Sequence, residues 1–443
     1  MKKVDVLFLY ETRVRELENI CLLKYELERR GYTVVVQNTW NELAQKKLRP
    51  KYDAKVVVTH AMYHDGIYQF VKSIVGKAPK IVNMQCEQVG TIRDDEIDDA
   101  RFVLRGVASQ CMNICWGQQT VDRLMNKSGF DEAHIRLTGQ ITLDFCRKEL
   151  RGYYHPREVL CAQYGLPQDC KLNLFISSFA YVNLPENITK QSEIKDKDLF
   201  IQRSRESFDA ILQWFDTLLE QKKDQVVIYR PHPAEADNSK LQQMHKKYPQ
   251  RFFVISELSV KQWVAISDRV YTWYSSSAAE VYMFDIPCAI LRPVQIPRDM
   301  EIALFENAEM ITDCKTFLAS IDQGFETSLD PKVFNRFYDV APTLSYVRVA
   351  DAIEEVLQSD DYFIKYPPEL PAMGVGQKVK TVLRGAVTVV ADRLPGTLLS
   401  KYRTPPKKTD AYALQRQKNN FASDQEIAEI QARIANILAA SEK

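Results

Sequence analysis

Short, uninterrupted apolar runs alternate with helix-period segments from the first residues onward, and this alternation constrains the fold more than any other feature. The spacing predicts strands over 4–10, 33–37, 55–59, 80–84, 113–116 and 135–138. Helices are predicted over 14–30, 67–75 and 120–127; on the first, Leu17, Ile20, Cys21, Tyr25 and Leu27 share a face and Gly31 supplies the stop. Strands without polar alternation must be covered on both faces, which implies a parallel sheet between helical layers. The pattern pauses over 146–171, a Tyr- and Pro-rich connection. It restarts with strands over 172–176, 225–229, 252–255, 269–272 and 288–291, a long helix over 203–221 and a closing helix over 345–358. The expected fold is α/β: two Rossmann-like domains, 1–165 and 170–358, facing a central cleft, then a helical, basic tail over 367–443. At about 150 residues per domain, 443 residues suffice for these cores.

Charge and composition narrow the partners. With 59 Lys+Arg against 58 Asp+Glu, the chain lacks the bulk positive charge of a nucleic-acid binder, and no nucleic-acid partner is expected. Nine cysteines lie mostly in apolar runs without metal-set spacing, as free thiols in a reducing compartment do. The apolar opening run contains Asp5 and is followed at once by Glu11, Arg13 and Arg15, a strand rather than a secretion signal. No stretch reaches the roughly 18 uncharged apolar residues that cross a bilayer, so a cytoplasmic location is expected. Between 375 and 408, eight basic residues, among them Lys378, Lys380, Arg384, Arg393, Lys401 and Arg403, flank an apolar helical stripe and are opposed by Asp392 alone. That tail suits either a solvated helix packed on the second domain or peripheral contact with an anionic inner membrane face.

No G-x-G-x-x-G, Walker, kinase or G-x-S-x-G signature occurs, which excludes the common dehydrogenases, P-loop NTPases and α/β-hydrolases. In doubly wound sheets ligands bind beyond the carboxyl ends of strands, so residues just after strands are the informative ones. Arg230-Pro231-His232-Pro233 follows a strand and offers a cation and an imidazole to a nucleotide phosphate. Ser275, Ser276 and Ser277 follow another strand at a helix start, with Glu280 one turn on and suited to ribose hydroxyls. The plainer alternatives are a turn histidine between prolines and serines that merely cap a helix.

These motifs resemble those of GT-B-fold transferases of bacterial surface carbohydrate synthesis. The resemblance rests on Arg230–Pro233, Tyr274–Ser277 with Glu280, and Thr138-Gly139-Gln140 with Asp144. Leu9-Tyr10-Glu11 with Arg15-Glu16-Leu17, and Phe175-Ile176-Ser177-Ser178-Phe179, fit the same group, over about residues 4–355. The nearest family is that of surface carbohydrate biosynthesis proteins, related to CDP-glycerol glycerophosphotransferases and to His-Pro-motif CMP-Kdo or CMP-sialate transferases. The resemblance implies that His232 contacts the donor phosphate, that Ser275–Ser277 hold the same phosphate or the cytidine, and that Glu280 takes the ribose. Arg230, Pro233, Ser177 and Ser178 join that nucleotide-binding set. Two departures stand out: Trp273 where the glycerophosphotransferases usually carry Asp, and Gly139-Gln140-Ile141 in place of Gly-Asn-Pro.

Inverting transfer needs a base near the acceptor hydroxyl. Glu87, after the strand over 80–84, is the first choice and Glu11 the second. The acidic run over 93–99 reads as a solvated loop, so metal-independent chemistry with no cofactor is expected. His60, His64, His134, His155 and His245 read as structural or surface residues, and Trp116, Trp214 and Trp263 as core. The expected activity is glycosyl transfer from a cytidine-nucleotide donor, a CMP-activated ulosonic acid such as Kdo ahead of CDP-glycerol, to a glycan or lipid-linked acceptor. The alternatives are a CDP-glycerol- or CDP-ribitol-type polyol-phosphate transferase, a nucleotide-sugar epimerase and a non-catalytic capsule-assembly adaptor.

Overall fold

The computed structural model describes residues 2–39, 52–75, 80–93, 103–182, 196–233, 235, 237–368 and 421–441. The chain divides into two compact units: Met1–Gln88 with Asp98–Ile141 and Phe337–Asn436, and Val89–Ile97 with Thr142–Arg336 and Ile437–Lys443.

The first unit is built on six parallel strands, β1 (Lys2–Tyr10), β2 (Val34–Asn38), β3 (Tyr52–Thr59), β4 (Lys80–Asn83), β5 (Met112–Cys115) and β6 (Ile135–Leu137), in the order β2-β1-β3-β4-β5-β6. Val6 lies opposite Val34 on one side and Val56 on the other, and β-branched side chains fill the sheet interior. Helix Arg13–Arg29 buries Leu17, Ile20, Cys21, Leu22, Leu23 and Leu27, whereas Tyr25 is only half-buried. Glu26 is buried on the same face, its carboxylate held by Arg29 and Arg30, each at 2.8 Å.

The helix expected over 345–358 has those bounds, but it closes the first unit rather than the second. It packs on helix Arg13–Arg29 and on β3, β4 and β5. Tyr32 Oη donates to Glu354 at 2.7 Å, Arg30 pairs with Asp351 at 2.7 Å, and Arg136 Nε donates to Glu355 at 3.0 Å. A helix's own periodicity states that it has an apolar face and not which sheet that face covers.

The second unit carries β7 (Lys171–Ile176), β8 (Gln225–Arg230), β9 (Phe252–Val254), β10 (Arg269–Thr272), β11 (Cys288–Leu291) and β12 (Met310–Ile311), all parallel, in the order β12-β11-β10-β7-β8-β9. Its core is aromatic: Phe175 packs edge-on to Phe215 at 5.3 Å, and Tyr271 edge-on to Phe317 at 5.2 Å. The connection over 146–171 belongs here. Tyr154 meets Phe284 at 5.9 Å, Tyr164 meets Trp263 at 5.0 Å, and Arg157 pairs with Asp268 at 2.9 Å. The units therefore part at Ile141 rather than near 165, because these aromatic rings bury against the second sheet's helices. Trp214 and Trp263 are core residues, while Trp116 is half-buried and stacks on Tyr338 at 6.1 Å.

All nine cysteines are free and most are buried. Among the described residues no helix is long and apolar enough to cross a membrane. Lys378, Lys380, Arg384, Arg393, Lys401 and Arg403 lie outside the described residues. The chain resumes at Phe421, and Ala422 N–H donates to Tyr10 Oη at 3.0 Å while Glu426 pairs with Arg13.

Asp5 makes the acid limb of stability testable. Burial would push its carboxyl up, but hydrogen bonds from Lys55 and from the Thr33 hydroxyl and N–H outweigh that and hold it at about 2, against an ordinary 3.8. A depressed folded value contributes stability that is complete above about pH 4 and disappears as pH falls through 2. Urea titrations of Asp5→Asn at a series of acidic pH values should lose this part of the pH dependence.

Candidate functional site

In the second sheet the chain runs outward from β7 to β8 and β9, and from β10 to β11 and β12 on the other side. The order reverses between β7 and β10, and ligands of doubly wound sheets sit outside the carboxyl strand ends at such a reversal. Ser177 follows β7, Trp273-Tyr274-Ser275 follow β10, and Pro231-His232-Pro233 follow β8. His232 and Pro233 are exposed. Since β8 and β10 flank β7, their ends are about 10 Å apart, two strand spacings.

Two residues of the expected donor set are engaged elsewhere. Arg230 is buried, and its guanidinium donates to the carbonyls of Ile255 at 3.0 Å, Glu257 at 2.8 Å and Leu258. Burial pushes its pKa down to about 10. It clasps the loop after β9 instead of facing a phosphate, because three converging carbonyls already satisfy it. Ser177 is buried too, with its Oγ 2.7 Å from Tyr229 Oη and 2.6 Å from Glu235 Oε2. Ser178 Oγ is buried without a hydrogen-bond partner among the described residues.

The serine turn differs from expectation in its backbone. Ser277 N–H donates to Ser275 Oγ at 3.3 Å, Ala278 N–H to Ser275 O at 3.2 Å, and Ala279 N–H to Ser276 O at 3.0 Å. The following helix, Ala278–Phe284, has only seven residues. An anion at this turn would thus meet hydroxyls, with Ser276 the most exposed, rather than a cradle of open N–H groups. Glu280 is half-buried; burial raises its carboxyl and Lys261 opposes the rise. Trp273 is fully buried, stacked on Phe179 at 4.9 Å and covered by Arg292 at 5.1 Å. Position 273 therefore faces the core, which accounts for an aromatic residue where the resembled family carries Asp.

In the first sheet the order reverses between β1 and β3. The residues just past those two strand ends are Glu11 and His60, and they meet: His60 Nε2 lies 3.6 Å from Glu11 Oε2. Glu16 holds the turn by accepting from Glu11 N–H at 2.9 Å and Thr12 N–H at 3.2 Å. His60 Nδ1 is buried without a hydrogen-bond partner among the described residues. Glu87 is more than half exposed, and its carboxylate accepts from Arg15 at 3.0 Å. Gln85 beside it is fully buried at φ +43°, and neither amide atom has a partner among the described residues.

The wall teichoic acid polymerase TagF, in a variant form, is similar over 80% of this chain and 89% of its own, at 12% identity and a TM-score of 0.53. The same polymerase soaked with CDPG aligns over 80% and 88% at 13% identity, TM-score 0.50. A putative UDP-N-acetylglucosamine 2-epimerase from Listeria monocytogenes aligns over 83% and 99% at 13% identity, TM-score 0.48. No family model and no curated protein matches the sequence. The chain has the GT-B fold.

Each GT-B sheet thus presents a histidine at its carboxyl edge, one of them already paired with a carboxylate. A carboxylate beside an imidazole can accept a proton from a hydroxyl, and an imidazole near a departing phosphate can donate a hydrogen bond to it. His60 reads as a structural or surface residue in the sequence because its partner lies 49 positions away; its place directly after a strand is the available signal. Among the described residues no group of three His, Cys, Asp or Glu side chains is placed to hold a metal ion.

Proposed function

We propose that this protein is a transferase of bacterial surface polysaccharide synthesis that uses a cytidine-nucleotide donor and a glycan or lipid-linked hydroxyl acceptor. The observation that carries it is the exposed His232 at the carboxyl edge of a doubly wound sheet, one strand from the β7/β10 reversal. The acceptor hydroxyl gives its proton to the Glu11 carboxylate, which His60 Nε2 borders at 3.6 Å, and attacks the activated carbon or phosphorus of the donor. The bond to the nucleotide phosphate breaks with its electron pair, and the charge on released CMP is met by His232 and the hydroxyls of Ser275 and Ser276. Glu280 serves the ribose. The motif resemblance supports a CMP-ulosonic acid as donor, and the likeness of fold to TagF supports a CDP-polyol. A cytoplasmic protein whose basic tail rests on an anionic membrane face would meet a lipid-linked acceptor there.

The test is release of nucleotide from a panel of CMP-Kdo, CMP-sialate, CDP-glycerol, CDP-ribitol and UDP-N-acetylglucosamine, with candidate acceptors present. CMP should appear from at least one cytidine donor, and His232→Ala should slow its release about 10²–10³-fold. Conversion of the UDP-sugar with the nucleotide still attached would make the protein an epimerase. Silence with every donor would leave the adaptor.

A further inference from the structure

One half-buried carboxyl, Glu235, lies behind His232 and takes no part in the scheme above. Its Oε2 accepts from Ser177 Oγ at 2.6 Å and from His232 N–H at 3.1 Å, while Oε1 accepts from Tyr229 Oη at 2.6 Å. Glu235 N–H returns a bond to His232 O at 2.8 Å, closing the turn on itself. Ser177 and Tyr229 also touch each other at 2.7 Å, and Ser177 Oγ accepts from Phe179 N–H at 3.2 Å. One side chain thereby ties three things together: the end of β7, the last turn of β8 and the backbone of His232.

The chemistry of the group fits that task. An ionised carboxylate is acceptor-only and has room for all three donors at once. Burial raises the Glu235 carboxyl, while Ser177, Tyr229 and the His232 N–H oppose the rise. Lifting the loop away would take the acceptor from both Ser177 and Tyr229 and leave their two hydroxyls only each other, at 2.7 Å, so the loop is not free to lift without cost. Pro231 and Pro233 on either side of His232 narrow its backbone further.

The geometry points to Glu235 as the positioning residue of His232: it docks the histidine's backbone on the ends of β7 and β8 and thereby sets where the imidazole meets an anionic leaving group. This rests on the donor-side assignment of His232. It also gives Ser177 a different role from that implied by the resemblance, as a support of the loop rather than a contact of the nucleotide.

CMP itself is the probe, with binding to the full chain followed by calorimetry. Glu235→Ala should weaken CMP about tenfold, a loss of the order of one buried hydrogen bond. Glu235→Gln should recover most of it, because the Tyr229 hydroxyl can turn to accept from the new amide while the amide oxygen keeps the His232 N–H. The double variant Glu235→Ala/His232→Ala should bind CMP no more weakly than His232→Ala alone, since a residue that acts through another adds nothing once that other is gone. Fully additive losses, or a Glu235→Ala protein that binds CMP like the parent, would overturn the inference while leaving His232 in place. If the parent protein does not bind CMP, the donor-side assignment itself fails. Should Glu235→Ala not fold, Ser177→Ala enters the same cycle and must show the same dependence on His232.

Discussion

Replacing Gly139 with alanine is expected to destabilise the first unit by about 3 kcal/mol, the sum of left-handed backbone strain and forced overlap. Gly139 has a φ of +78°, a region that costs a side chain strain wherever there is space for it. Here there is none, since a Cβ would come within 2.4 Å of Asp339 O and 2.6 Å of Ser345 Oγ. The carbonyl cannot retreat easily. Asp339 N–H donates to Trp116 O at 2.7 Å, and the Asp339 carboxylate pairs with Arg348. Gly139 is thus the place where the end of the first sheet admits the chain returning from the second unit. Trp116 stacks on Tyr338 at the same spot, and the loss is read from urea unfolding followed by circular dichroism. A loss under about 0.5 kcal/mol would mean that the close approach does not exist.

That return of the chain marks the boundary between what sequence conveys and what it does not. Strands β10 and β11 and the helix Ser345–Gln358 lie where the apolar pattern puts them, because burial on both faces leaves an unbroken apolar run in the sequence itself. β12 leaves no such run, because Met310–Ile311 is two residues long and only half-buried. Which sheet a helix covers is decided by partners such as Glu354 with Tyr32, far apart along the chain. The site divides the same way. That Arg230, His232 and the serines follow strands is legible; that Arg230 turns to three carbonyls after β9 is not, since those carbonyls belong to a loop placed by tertiary packing. The serine turn shows the same limit, because hydroxyl-rich composition says nothing of whether the neighbouring N–H groups are already used. Glu235 and His60 carry no motif; His60's place directly after β3 is a signal, but only its partner shows what it does, and only its partners reveal Glu235.

Glu11→Gln should lower transfer by about 10²–10⁴-fold, the usual worth of a positioned general base, while leaving CMP affinity unchanged. His60→Gln should fall in the same range if the imidazole orients the carboxylate. The double variant should lose little beyond either single change, as groups that act as one unit do. Glu87→Gln separates this assignment from the one drawn first from the sequence. Glu87 is more than half exposed and committed to Arg15, so its change should alter transfer less than about threefold, in line with the small worth of an exposed ion pair. A variant series in which Glu87→Gln abolishes transfer and His60→Gln does not would move the base to the end of β4. One in which both leave transfer intact would place proton removal outside the described carboxyl edge of the first sheet. The measurement is initial rate under saturating donor with CMP binding followed in parallel, so that loss of chemistry and loss of binding are read apart.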